Sequence, residues 1–178
     1  MAQTLSALLA KFDTRPNPIP LEELAAELGA TEVADADFRR AIAFGDKTYR
    51  RNLLHAGPAY HALVLCWRPG QRSPIHDHSG SSCAVRVLQG VATETTIAMN
   101  AQGLVYATRS RDCQVGSVLG SFDDDAHQIS NLQPPGDDLV TLHIYSPPLL
   151  KMNKFSLTDS LVESFTDPVE FFVEGAGI

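Results

Sequence analysis

The apolar positions of this chain change their period near residue 49. Before it they recur every three to four residues: Leu5, Leu8, Leu9 and Phe12, then Leu21, Leu24, Ala25 and Leu28, then more weakly Phe38, Ala41 and Ile42. That spacing predicts helices over 5–12, 21–28 and 35–44, with Pro20 suited to a helix start and Gly29 to the position just past a helix end. After residue 49 short β-rich runs predict strands over 61–67, 83–88, 91–99, 104–109, 114–119, 127–132 and 139–145. Turn formers separate them, among them Asn100-Ala101-Gln102-Gly103 and Pro134-Pro135-Gly136-Asp137. A few helices followed by many short strands predict a mostly β protein, a small jelly-roll barrel with an α-helical N-terminal segment.

Length and composition narrow the class. A chain of 178 residues fits a single domain over 1–178, able to bury about two thirds of its unfolded surface. Its expected parts are a helical cap over 1–48, a barrel core over 49–148 and a C-terminal extension over 149–178 packing on the barrel. Fourteen basic against 21 acidic residues give a net charge of -7 with no Lys/Arg run, which argues against nucleic acid and anionic membrane as partners. No apolar stretch approaches the roughly 20 residues of a membrane span, and the N-terminus carries no signal-peptide pattern. These features predict a cytoplasmic monomer acting on a small molecule. Cys66, Cys83 and Cys113 are an odd number without a CxxC, the pattern of reduced thiols, and Cys66 and Cys113 are expected to be buried as small apolar residues.

The chemistry concentrates at His76-Asp77-His78. On an extended segment residues i and i+2 share a face, so both imidazoles can converge on one ion while Asp77 turns away. Among the other histidines, His55, His61, His127 and His143 compete for a third ligand place. Imidazoles suit iron, zinc, copper or nickel, and spacing does not choose among them.

The phrase Gly70-x5-His76-x-His78-x4-Cys83-x6-Gly90 and the phrase Gly116-x5-Phe122-x-Asp124-x2-His127-x3-Asn131 together resemble the two sequence motifs of the cupin superfamily. That resemblance implies a cupin-type barrel and makes His127 the third ligand. The chain departs from the general pattern at Cys83, where a glutamate ligand is usual, and at Phe122 and Asp124, where proline and glycine are usual. Three neutral imidazoles leave the charge of a divalent ion uncompensated, so the centre favours an anionic ligand.

Four further phrases make the resemblance specific: Tyr49-Arg50-Arg51-Asn52-Leu53, Leu65-Cys66-Trp67, Ile75-His76-Asp77-His78 followed by Cys83, and Leu142-His143-Ile144-Tyr145-Ser146-Pro147-Pro148. From about residue 49 to 148 the chain is similar to cysteine dioxygenases, mononuclear non-haem iron enzymes. The resemblance implies Fe(II) on His76, His78 and His127, with L-cysteine and O2 as substrates and cysteine sulfinic acid as product. It places the carboxylate-binding arginine at Arg51, the active-site phenol at Tyr145, and a thioether cross-link between Cys83 and Tyr145. Tyr49 lies two residues from Arg51 and is expected in the same pocket, while Arg50 points the other way into solvent. His143 and Thr141 share a strand face with Tyr145; Thr141 stands where the animal enzymes have serine.

Two tensions accompany these expectations. Cys83 lies an odd number of residues beyond His78, so a continuous strand would send it outward unless the turn-forming Ser79-Gly80-Ser81-Ser82 resets the register. Relatives preferring 3-mercaptopropionate typically carry glutamine where Arg51 stands, so Arg51 favours cysteine over that rival thiol. A non-oxygenase cupin, such as a small-ligand sensor or an isomerase, is the reading from another class. The run Asp123-Asp124-Asp125 is expected to be a solvated loop.

Overall fold

The computed structural model describes residues 2–123, 125–166, 168 and 169. Of the predicted C-terminal extension, residues 167 and 170–178 lie outside the described residues, as does Asp124 of the second histidine phrase.

The N-terminal third is helical, with two boundaries that differ from the sequence expectation. Strand β1 (Gln3–Thr4) leads into α1 (Leu5–Asp13), whose N-cap Thr4 accepts a hydrogen bond from the Ala7 N–H. Helix α2 (Leu21–Ala30) begins after Pro20 with Glu22 and Glu23 in its first turn, where they complement the helix dipole. It runs through Gly29 rather than ending there, because its last carbonyls are satisfied otherwise: the Arg86 guanidinium donates to the Leu28 carbonyl at 2.8 Å and the Thr31 hydroxyl donates to Glu27 at 2.7 Å. Thr31 is already extended and opens β2 (Thr31–Glu32), which pairs parallel with β1. The third helix is shorter than 35–44: α3 (Asp35–Phe38) continues as a 3₁₀ turn, Arg39–Ala41, and the chain is extended by Ile42. One tight turn suffices to bury both Phe38 and Ala41.

Eleven strands follow: β3 (Arg50–Ala56), β4 (His61–Trp67), β5 (Ile75–His76), β6 (Ser82–Gln89), β7 (Ala92–Met99), β8 (Val105–Cys113), β9 (Val118–Phe122), β10 (His127–Ser130), β11 (Leu139–Ser146), β12 (Met152–Phe155) and β13 (Val162–Phe165). The strand expected at 114–119 starts later, because Gly116 has a φ of 87° and the Ser117 N–H closes a turn onto the Gln114 carbonyl. Of these eleven, β3, the two-residue β5, β12 and the largely exposed β13 lie outside the runs predicted from the sequence.

Pairing places these strands in two sheets, a five-stranded one ordered β3-β4-β11-β6-β9 and a six-stranded one ordered β13-β12-β5-β10-β7-β8. Among the described residues the ladders do not close into a single barrel, and the two sheets enclose a shared core instead. Leu63, Leu65, Trp67, Val85 and Leu119 from the first sheet pack with Ala92, Cys113, Ile129 and Met152 from the second. The outer face of the five-stranded sheet is covered by the helices: Ala62, Val64, Cys66, Val140, Leu142 and Ile144 pack against Leu5, Leu8, Phe12, Leu24 and Leu28. Strand β11, central and covered on both faces, therefore has all eight residues buried. Its alternation sends Val140, Leu142 and Ile144 to the helices and leaves Thr141, His143 and Tyr145 for the interior between the sheets. No helix among the described residues is long and apolar enough to cross a membrane.

Candidate metal centre

Antiparallel pairing of β5 with β10 sets His76 directly opposite His127, and His78 follows at the exit of β5. The nearest ligand atoms of His76, His78 and His127 all lie within 4.8 Å of one another, with ring centroids 4.9 to 5.3 Å apart. All three are buried. Neither ring nitrogen of His78 has a hydrogen-bond partner, a costly state for a buried polar group unless something else accepts its lone pair. A divalent ion between three neutral imidazoles removes that cost, so the donor set fits a metal. His76 donates Nδ1–H to the Pro74 carbonyl at 3.0 Å, which directs Nε2 inward. Asp77 turns away, as alternation requires, and binds Asn153 through both carboxylate oxygens, at 2.9 Å to the backbone N–H and 2.7 Å to the side-chain amide. It fastens β12 to the edge of β5.

The parity problem at Cys83 is resolved by the Ser79-Gly80 turn, in which both residues have positive φ (43° and 86°). Asp123 stabilises that turn, accepting from the His78 N–H at its carbonyl (2.8 Å) and from the Gly80 N–H at its carboxylate (2.7 Å). Asp125 accepts from the Phe122 N–H at 3.1 Å, so these acids are turn-forming groups and not merely a solvated run. The reset places Cys83 on the inner face, directly across the β6–β11 ladder from Tyr145. Burial raises the Cys83 thiol pKa to about 12, against the opposing effects of its hydrogen bond with Tyr145 and the nearby Arg51 charge.

A hydrogen-bonded chain orients the phenol. The Trp67 indole N–H, which can only donate, gives its hydrogen to Thr141 Oγ1 at 3.0 Å. The Thr141 hydroxyl lies 3.0 Å from His143 Nε2, and His143 Nδ1 lies 2.9 Å from the Tyr145 oxygen. Tyr145 also hydrogen-bonds Cys83. Its ring lies 6.2 Å from that of His78 and 5.5 Å from the Arg51 guanidinium carbon. Arg51, on β3 and only 3% exposed, faces the interior, whereas Arg50 is half-buried on the opposite side of the strand. Tyr49 stacks on Trp67 at 4.1 Å and lines the same interior.

The remaining histidines lie elsewhere. His55 is bound to Asp13 at 2.8 Å, beside Tyr60 on the helical side. His61 sits across β4–β11 from Tyr145, with a pKa lowered by burial and then by Arg51. Sequence reasoning missed Glu94, whose carboxylate lies 3.3 Å from His127 Nδ1 and is gripped by Arg111. The available signal was one acid at inward parity within the 91–99 run. Burial works against the Glu94 charge, yet hydrogen bonds from His127 and Arg111 outweigh it and hold the pKa below the ordinary carboxylate value.

Burial is the main reason His76, His78 and His143 stay neutral. It lowers His76 to about 3 and His78 and His143 well below 6.5, assisted by His127 for the first two and by Arg51 for the third. Folded values below the unfolded one mean that the unfolded chain binds more protons in this window. Stability is therefore fully present above about pH 6.5 and lost as pH falls toward 3. Each histidine contributes about 1.4 kcal/mol per pH unit. Urea unfolding of chelator-stripped protein should show a midpoint dropping steeply below about pH 6; a flat midpoint from pH 7 to 5 would contradict the neutral, buried assignment.

Two facing β-sheets carrying inward histidines from two motifs define a metal-binding cupin. Solved structures support the fold: an uncharacterized conserved protein with a double-stranded β-helix domain from Klebsiella pneumoniae superposes with a TM-score of 0.51 at 16% identity, covering 61% of this chain and 80% of that one. A Thermus thermophilus protein gives 0.50 at 14% identity, covering 62% of this chain and 94% of that one. The family model for cysteine dioxygenase type I matches residues 1–158, and the chain belongs to that family. Cysteine dioxygenase type 1 of Bos taurus is 30% identical over 134 residues, which cover 73% of this chain and 66% of that protein; the human protein is 28% identical over the same extents. The Danio rerio protein is 27% identical over 147 residues, covering 77% of this chain and 70% of its own length. The match thus spans about two thirds of the mammalian relatives.

Proposed function

We propose that the protein oxidises L-cysteine with dioxygen to cysteine sulfinic acid, using Fe(II) held by His76, His78 and His127. The observation that carries this reading is the placement of Arg51 and Tyr145 beside the histidine triad, within one buried interior. A ferrous ion bound there supplies the oxygen chemistry and favours the thiolate form of the substrate, whose negative charge the three imidazoles lack.

The protein's own groups bind and orient. Arg51 presents a planar fork of donors to the substrate carboxylate, which fixes the end of the molecule that faces the histidines. Tyr145, held through His143, Thr141 and Trp67, would present its phenol to the substrate carboxylate. The apolar walls, Leu63, Val85 and Leu119 among them, exclude water and strengthen each of these interactions. Net charge -7 and the absence of a basic run support a small-molecule partner for a cytoplasmic monomer.

The cross-strand pairing of Cys83 and Tyr145 supports a thioether between Cys83 Sγ and the phenol ring. Forming it removes one hydrogen from each residue, with dioxygen as oxidant. Intact mass should fall by two hydrogens on aerobic turnover, and Cys83→Ser should abolish the lighter form. The reading as a whole is tested by oxygen consumption and product identification after anaerobic iron loading, with L-cysteine, 3-mercaptopropionate and cysteamine in parallel. Sulfinate from none of them overturns the enzyme assignment, and preferential turnover of 3-mercaptopropionate overturns the substrate.

A further inference from the structure

The three histidines are not supported equally. His76 donates to a neutral carbonyl, His78 has no hydrogen-bond partner at either ring nitrogen, and His127 Nδ1 faces a carboxylate. That carboxylate is held by strand register: Glu94 lies directly across the β7–β8 ladder from Arg111 and, in β7–β10, opposite Ile129, which places it diagonal to His127. Glu94 Oε1 is 3.3 Å from His127 Nδ1, while Oε2 accepts from Arg111 Nε at 2.8 Å and Nη2 at 2.7 Å. The Ser121 hydroxyl, 3.4 Å from the same His127 nitrogen, completes the cluster.

Burial distinguishes this arrangement from an ordinary ion pair. The Arg111 side chain is 45% exposed and the Glu94 side chain only 4%. A pair serving only to join β7 to β8 would keep both charges in water, where neither pays desolvation. Here the carboxylate is drawn inward to the ring that bears the candidate ligand atom.

Resting on the iron-centre reading above, we infer that Glu94, pinned by Arg111, is the positioning residue for His127. It supplies from behind that imidazole the negative charge that a three-histidine set lacks. Accepting the Nδ1–H fixes the tautomer with Nε2 toward the ion and pushes electron density into the ring, making His127 the strongest donor of the three. The glutamate that general cupins use as a ligand, replaced here by Cys83, thus has a counterpart one residue farther from the ion. The site keeps a carboxylate's electrostatic influence without giving up a coordination position.

The test uses the full chain and ferrous iron as the probe. Affinity is measured by anaerobic chelator competition, and the ferric/ferrous midpoint potential by redox titration, for the wild type, Glu94→Gln and Arg111→Gln. Glu94→Gln preserves shape but removes the charge; iron affinity should fall about 10- to 100-fold and the potential should move positive. Arg111→Gln leaves the carboxylate without its countercharge, and the potential should move negative. A folded Glu94→Gln protein with wild-type affinity and potential overturns the inference, as does a shift of both variants in the same direction, which is the mark of disturbed packing. Should Glu94→Gln fail to fold, Arg111→Gln decides: a negative shift upholds the inference, and a positive or absent one overturns it. A wild-type protein that binds no iron overturns the iron-centre reading itself, whereas wild-type binding with unaffected variants overturns this inference alone.

Discussion

His78→Ala is expected to leave a folded protein that retains little iron and oxidises no thiol at a measurable rate. Changes at groups that merely orient a ligand cost about 10- to 100-fold, so loss of a ligand itself should exceed about 100-fold in both iron affinity and turnover. His78 is the most diagnostic of the three because its ring has no hydrogen bond to lose. Truncation creates a cavity but also removes two unsatisfied buried nitrogens, and these effects oppose each other. The stability of the metal-free variant should therefore lie within about 2 kcal/mol of the metal-free wild type. Iron content after anaerobic loading, oxygen uptake and melting of the two stripped proteins check this together. A variant that keeps full iron content would remove His78 from the ligand set.

Arg51→Ala should lower kcat/KM for L-cysteine by about 30- to several-thousand-fold, the equivalent of the 2–5 kcal/mol lost when one partner of a buried charge pair is removed. The guanidinium is 3% exposed, so water screens it weakly and its contact with a carboxylate is worth more than a surface pair. Cysteamine, a thiol without a carboxylate, should lose far less. Arg51→Lys should recover part of the cysteine rate, since it restores the charge without the two-pronged geometry. The decisive quantity is the ratio of kcat/KM for cysteine to that for cysteamine in each variant. If both substrates fall equally, Arg51 supports the pocket and does not read the carboxylate.

The histidine pair His76 and His78 was legible because its information is local: i and i+2 on an extended segment share a face whatever the rest of the chain does. The run 61–67 was legible for the same reason and coincides with β4. Strand β11 was predicted over 139–145 and extends one residue further, its near-continuous apolar character reflecting cover on both faces. Gly29 misled because a glycine ends a helix only where the last carbonyls lack other donors, and Arg86 comes from 55 residues or more along the chain to provide them. Asp123 and Asp125 are exposed in a loop, as expected, but local sequence does not reveal that the partners of Asp123 are the backbone groups of His78 and Gly80.

By itself, then, the sequence determined what depends on short-range periodicity and residue chemistry: helices before strands, two imidazoles on one face, and a phenol and an imidazole sharing β11. Tertiary structure alone decided which groups meet across ladders. It brought His127 opposite His76, carried Cys83 through a positive-φ turn to lie opposite Tyr145, and set Glu94 between His127 and Arg111. Those meetings depend on register, and a shift of one residue would send each side chain to the other face of its sheet.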